Sequence, residues 1–172
     1  ESWAQPGGNA QKWMGRLALG ASLSRAWNAH IAGSTKKMRL AAAPIVADGK
    51  LYVMDTTATI HAFDARSGAR LWQAQLRGKG NAEDTPRATD KKGKKLKDRT
   101  KEERKALFGG GVSYDKGRIF AANGLGDAAA YDAATGALIW IKRPGGPLRG
   151  APTIAYDQVY LVSQDNQIFA LR

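Results

Sequence analysis

Residues 43–72 read APIVADGKLYVMDTTATIHAFDARSGARLW, and the recurrence of this stretch decides the fold. Its last part, AFDARSGARLW at 62–72, is answered without a gap by AYDAATGALIW at 130–140. The two share Ala, Asp, Ala, Gly, Ala and Trp, and the Phe/Tyr, Ser/Thr and Leu/Ile differences are conservative. The front half returns as APTIAYDQVYLVSQDNQIFAL at 151–171, in register with 43–63 throughout. Self-similarity on this scale marks a repeat architecture and outranks any local propensity.

Each copy reads as a four-stranded antiparallel meander. Residues 44–47 and 51–54 are short β-rich runs joined by Asp48-Gly49, a strong signal for a two-residue hairpin turn with φ > 0. Residues 60–63 make a third strand and 70–76, with Trp72, a fourth. Between them DARSG is a turn in which Asp64 bonds its own backbone and Gly68 takes a left-handed position. The second copy runs from Gly111 to about Arg143, with its hairpin at 115–117 and its turn at 132–136. The third begins at Ala151 and holds three strands. Upstream, LSRAWNAHI at 23–31 is expected to be a lone strand carrying Trp27. The division is an irregular arm at 1–22, an outer strand at 23–31, blades at 43–77 and 109–143, a basic insertion at 78–108, and three strands of a further blade at 151–172.

At 172 residues the chain is long enough for one domain with a real core, and 20 glycines among short apolar runs point to an all-β protein. No stretch approaches the roughly 18–20 apolar residues a membrane span needs. The opening ESWAQPGGNA reads as a mature start from which any export signal has gone. Cysteine is absent, which excludes disulfides and thiolate metal sites. The net charge of +12 favours acidic partners, but it is concentrated: residues 91–105 hold nine Lys and Arg among fifteen positions. This run, with Lys91, Lys92, Lys94, Lys95 and Lys97, is either a solvated loop or a docking patch for an acidic partner or phosphate. Thr100 followed by Glu103 has capping-box spacing, so a short helix is expected over 100–108.

Local motifs for chemistry are weak. GLGDAA at 124–129 matches a dinucleotide fingerprint, but a strand follows where that fingerprint requires a helix. His30 and His61 have no partner at metal-ligand spacing. Asp64 and Asp132 recur at one repeat position, which argues for turn chemistry over a catalytic carboxylate pair.

The pattern A-P-x-V-x-D-G-x-[VL]-Y-V … A-x-D-A-x-[ST]-G-x-x-[LI]-W resembles the blade repeat of the PQQ-like β-propellers, and more narrowly the BamB-like outer-membrane assembly lipoproteins. The resemblance covers 23–172 apart from the basic insertion. It implies part of an eight-bladed propeller, with remaining blades from the same protein or a second chain. Trp27, Trp72 and Trp140 would then lock adjacent blades. It also implies a non-enzymatic, periplasmic scaffold at the outer membrane, without cofactor or nucleic-acid partner. The partners implied are the POTRA domains of BamA and unfolded outer-membrane proteins. Leu148, Arg149 and Gly150 match the family's partner-binding loop, where an exposed Leu beside an Arg would suit a hot spot; the other reading is an inter-blade connector whose Leu tucks under the sheet. The alternative is a piece of a quinoprotein dehydrogenase. Those enzymes share the blade motif and bind pyrroloquinoline quinone with Ca²⁺. Many carry a disulfide between adjacent cysteines, which this chain lacks.

Overall fold

The computed structural model describes residues 3–8, 22–34, 42–76 and 110–172. Among them lie eleven strands in three antiparallel sheets, and no helix. The first sheet is β1 (Ile45–Ala47), β2 (Lys50–Met54), β3 (Thr59–Asp64) and β4 (Arg70–Gln75), in that order across the sheet. The second repeats it with β5 (Gly110–Asp115), β6 (Arg118–Asn123), β7 (Ala128–Asp132) and β8 (Leu138–Lys142). The third has β9 (Leu148–Ala155), β10 (Gln158–Ser163) and β11 (Ile168–Leu171). This is the architecture of a β-propeller segment, with four-stranded sheets as blades.

Local chemistry produces the same bends at the same repeat positions. Asp48-Gly49, Lys116-Gly117 and Tyr156-Asp157 all have positive φ, as a type I′ hairpin requires. Between the third and fourth strands, Asp64 Oδ1 accepts from the N–H groups of Arg66 (3.1 Å) and Ser67 (2.7 Å) and from the Ser67 hydroxyl (2.8 Å). Asp132 repeats the arrangement with Ala134 (3.1 Å) and Thr135 (2.8 Å from both N–H and hydroxyl). These bonds hold both carboxyls below the usual carboxylate range, with Ser67 and Thr135 as the leading causes. The recurring Asp is therefore turn chemistry.

Alternation along the strands sends one face of each sheet toward the next. Ile45, Tyr52, Met54, Ile60 and Ala62 of the first sheet bury against Val112, Ile119, Ala121, Ala129 and Tyr131 of the second. On the other side of the second sheet, Phe120, Ala122, Ala128 and Ala130 meet Leu148, Ile154, Val159 and Leu161 of the third. The second sheet is thin where its neighbours are bulky, and this alternation of large and small fills the interfaces. Burial pushes the hydroxyls of Tyr52 and Tyr131 up to about 12.

Two expectations change here. Residues 23–31 are assigned to no strand, because no described strand runs beside them to supply ladder bonds. The third repeat begins at Leu148 rather than Ala151, since β9 pairs Leu148 with Ser163 and Arg149 with Val162. A register shift between Tyr160 and Val162 absorbs the extra residues around Gly150, whose φ is +65°.

Candidate functional site

The side chains singled out from the repeat fall into three groups. The first is the tryptophans. Trp72 Nε1 donates to the Ala133 carbonyl of the next sheet at 3.0 Å, beside the Tyr52 hydroxyl, which donates to the same oxygen at 3.1 Å. A Cβ on Gly136 would sit 2.7 Å from the Trp72 ring, so glycine there serves both its φ of +75° and the ring's seat. Trp27 repeats this one sheet earlier: Nε1 donates to Ala65 O at 3.0 Å, and a Cβ on Gly68 would sit 2.7 Å from its ring. Residues 22–34 thus occupy the place of a preceding outer strand, though held through side chains rather than a backbone ladder: besides Trp27, the Thr56 hydroxyl donates to Gly33 O at 3.0 Å and Arg70 Nη2 to His30 O at 3.2 Å. Trp140 is half-buried, with its ring tilted against Phe120 at 6.2 Å.

The second group closes the turns between the second and third strands. Asp55 Oδ1 accepts from the N–H groups of Thr57 (2.8 Å) and Thr59 (3.0 Å) and from the Thr57 hydroxyl (2.7 Å). Asn123 Oδ1 accepts from Leu125 and Asp127 N–H, both at 3.0 Å, and Ser163 Oγ accepts from Gln167 N–H at 3.1 Å. GLGDAA is this turn in the second sheet, with Gly126 at φ +93° close under the carbonyls of Gly145 and Gly146. It is not a helix opening. Asp55 Oδ2 lies 2.7 Å from His61 Nε2, and both side chains are buried. Burial works to raise the Asp55 pKa, but hydrogen bonds from His61, Thr57 and Thr59 outweigh it, and the net direction is down. The His61 pairing was missed in the sequence, although positions 55 and 61 flank the turn and can meet across it. Asp127, also buried, accepts from Arg143 Nε (2.9 Å) and Nη2 (2.6 Å).

The third group is Leu148, Arg149 and Gly150. The segment before it is pinned: Arg143 to Asp127, and Pro147 O to Gln164 N–H at 2.8 Å. Leu148 is not an exposed hot-spot residue. It is 0% accessible, in the core between the second and third sheets, because the strand starts early enough to turn it inward. Arg149 and Gly150 are exposed. Lys91, Lys92, Lys94, Lys95 and Lys97, the rest of the basic insertion and the helix expected at 100–108 lie outside the described residues.

Residues 3–5, read from sequence as part of an irregular arm, also form a constellation. Trp3 exchanges backbone hydrogen bonds in both directions with Val46, and Tyr114 N–H donates to Ala4 O. Gln5 Nε2 donates to Ile154 O at 3.4 Å, and Ile154 N–H donates to Gln5 Oε1 at 3.3 Å.

A family model described as "Outer membrane protein assembly factor BamB" matches residues 17–100 and 87–172. A 1-butanol dehydrogenase (cytochrome c) of Thauera butanivorans is 32% identical over 99 residues, covering 58% of this chain and 12% of that protein. Quinohemoprotein alcohol dehydrogenase of Comamonas testosteroni superposes with a TM-score of 0.63 at 24% identity, over 93% of this chain and 23% of that one. BamB of Moraxella catarrhalis superposes with a TM-score of 0.51 at 21% identity, over 77% of this chain and 34% of that one. The chain therefore spans about an eighth of the curated relative it matches. These findings correct the expectation of a non-enzymatic protein, since the butanol dehydrogenase is an enzyme and aligns over more than half of the chain. The described residues gather no acidic or histidine cluster for the metal of a quinone cofactor. Asp55, Asn123 and Ser163 spend oxygens on turn N–H groups, Arg143 pairs with Asp127, and no group of three or more His, Asp or Glu side chains that could hold a metal ion occurs among the described residues.

Proposed function

Because the chain belongs to the PQQ-repeat family described as outer membrane protein assembly factor BamB, we propose that it provides a protein-binding face for outer-membrane protein assembly, in the periplasm of a Gram-negative bacterium. The partner is the POTRA region of BamA, and the contact is the ridge at Arg149 and Gly150. One observation carries this reading. Leu148 and Pro152 are buried while Arg149 and Gly150 between them are exposed, on a strand bulged against its neighbour. An anchored bulge holds the guanidinium outward at low entropic cost, and its forked donors suit a carboxylate or a row of carbonyls. Leu148 acts by position, locking the strand from beneath.

Immobilised BamA POTRA domains test this. Arg149→Ala should weaken retention by about 1–2 kcal/mol, if the residue is a hot spot, with an unchanged melting temperature. Equal retention of wild type and variant rejects the ridge.

A second reading, favoured by the 32% identity to the butanol dehydrogenase, is a segment of an alcohol-oxidising propeller. Its cofactor residues would lie outside those described. A quinone absorbance band retained through purification, and dye-linked alcohol oxidation after quinone addition, would support it. Neither signal in the intact protein would remove it.

A further inference from the structure

Val46, Tyr114 and Ile154 hold one and the same position in the three repeats, on the first strand of each sheet. The first strands are edge strands: β1, β5 and β9 end their sheets, so each has a row of N–H and C=O groups turned away from its own ladder. Successive residues of one short segment meet these three equivalent positions in order. Trp3 pairs with Val46 through the backbone in both directions, Ala4 O accepts from Tyr114 N–H, and the Gln5 side chain takes Ile154. The Gln5 amide gives one N–H and takes one N–H at Ile154, as the Trp3 peptide groups do at Val46. It stands in for a backbone where the extended chain falls short, and it is 5% accessible. Pro6 and Gly7 then turn the chain away: Gly8 N–H donates to Gln5 O at 2.8 Å, and Gly7 has φ +88°, as a type II turn with Pro second and Gly third requires.

We propose that the inner edges of β1, β5 and β9 form a strand-binding slot, and that Trp3–Ala4–Gln5 is its resident, exchangeable for an extended polypeptide segment with an aromatic residue followed two positions later by Gln or Asn. An edge strand is a template for pairing with any extended chain. Here three edges offer their groups to one crossing segment, so recognition is mainly of backbone. Selectivity comes from its two ends, the Trp3 ring packed at the rim of the core and the amide at Ile154. The partner class is an unfolded or extended stretch of polypeptide. The inference holds whichever reading of the activity is correct, because its contacts at Val46, Tyr114 and Ile154 involve neither Arg149 nor Gly150, which lie earlier on β9.

The test uses a fluorescein-labelled peptide of residues 1–8 added to the chain lacking those residues, read by anisotropy. Saturable binding is expected, weakened at least tenfold by Gln5→Ala or Trp3→Ala in the peptide and at least tenfold weaker to the full chain, whose slot is filled. A folded truncated chain that ignores the peptide, or takes a scrambled one equally well, overturns the proposal. Should truncation prevent folding, hydrogen exchange on the full chain with Gln5→Ala decides. Faster exchange at Ile154 and Tyr114 with unchanged protection of the Asn123 and Ser163 turns supports the slot, and unchanged exchange at Ile154 and Tyr114 overturns it.

Discussion

Ile60 in the first sheet and Ile168 in the third hold the same place in the repeat, yet Ile60 is 0% accessible and Ile168 73%. The difference extends along the face. Ile45, Met54 and Ala62 are buried against the second sheet, while their equivalents Thr153, Val162 and Ala170 are half-buried or exposed. The second and third strands correspond and the apolar positions recur, although the third sheet has three strands and a longer, bulged first strand. A blade's apolar face is thus a surface offered to a neighbour, and burial is a property of the junction. In repeat proteins, stability is accordingly a sum of unit and interface contributions.

The sharpest way to break this comparison is to truncate the paired isoleucines. Ile60→Ala should cost about 3 kcal/mol, since it removes buried methyl groups and leaves a cavity between packed sheets. Ile168→Ala should stay within about 0.5 kcal/mol, as exposed substitutions do. Urea midpoints at constant m-value measure both. Equal losses would mean that Ile168 is covered in solution.

A smaller effect separates the junction from the turn. Gly136→Ala places a Cβ at positive φ and against the Trp72 ring, whereas Gly117→Ala meets nothing within 4 Å and bears only the backbone strain. The first should cost about 2 kcal/mol and the second about 1 kcal/mol. Thermal melts that rank them the other way would show that the Trp72 seat adapts freely.

The smallest effect concerns the two matched turns. The folded-state pKa values of Asp64 and Asp132 are depressed. Their contribution is complete above the unfolded value of about 3.9 and is lost as pH falls through the folded values. Asp64→Asn with Asp132→Asn keeps an acceptor for the turn N–H groups but removes the titration. The double variant should lose less stability than wild type below about pH 4, seen as a shallower acid limb of urea midpoint against pH. An identical limb would place the acid sensitivity elsewhere. Buried Asp55, bonded to His61, is the next carboxylate to test.

Features governed by neighbours in the chain were legible from the residues: the three repeats, the hairpins at Asp48-Gly49 and at Gly117, and the Asp64 and Asp132 turns. Strand alternation, positive φ at a turn and a carboxylate capping the next residues' N–H groups are satisfied within a few positions, so one stretch of sequence determines them. What tertiary structure alone decided spans longer distances. Leu148 points inward because β10 and the second sheet are there to receive it, a choice its sequence setting left open. Residues 23–31 resemble a strand but carry no ladder, since a strand needs a neighbour alongside. Gln5 and Ile154 are 149 positions apart and meet because three edge strands converge on one crossing segment. Such pairing depends on how whole sheets are set side by side, which no local pattern encodes.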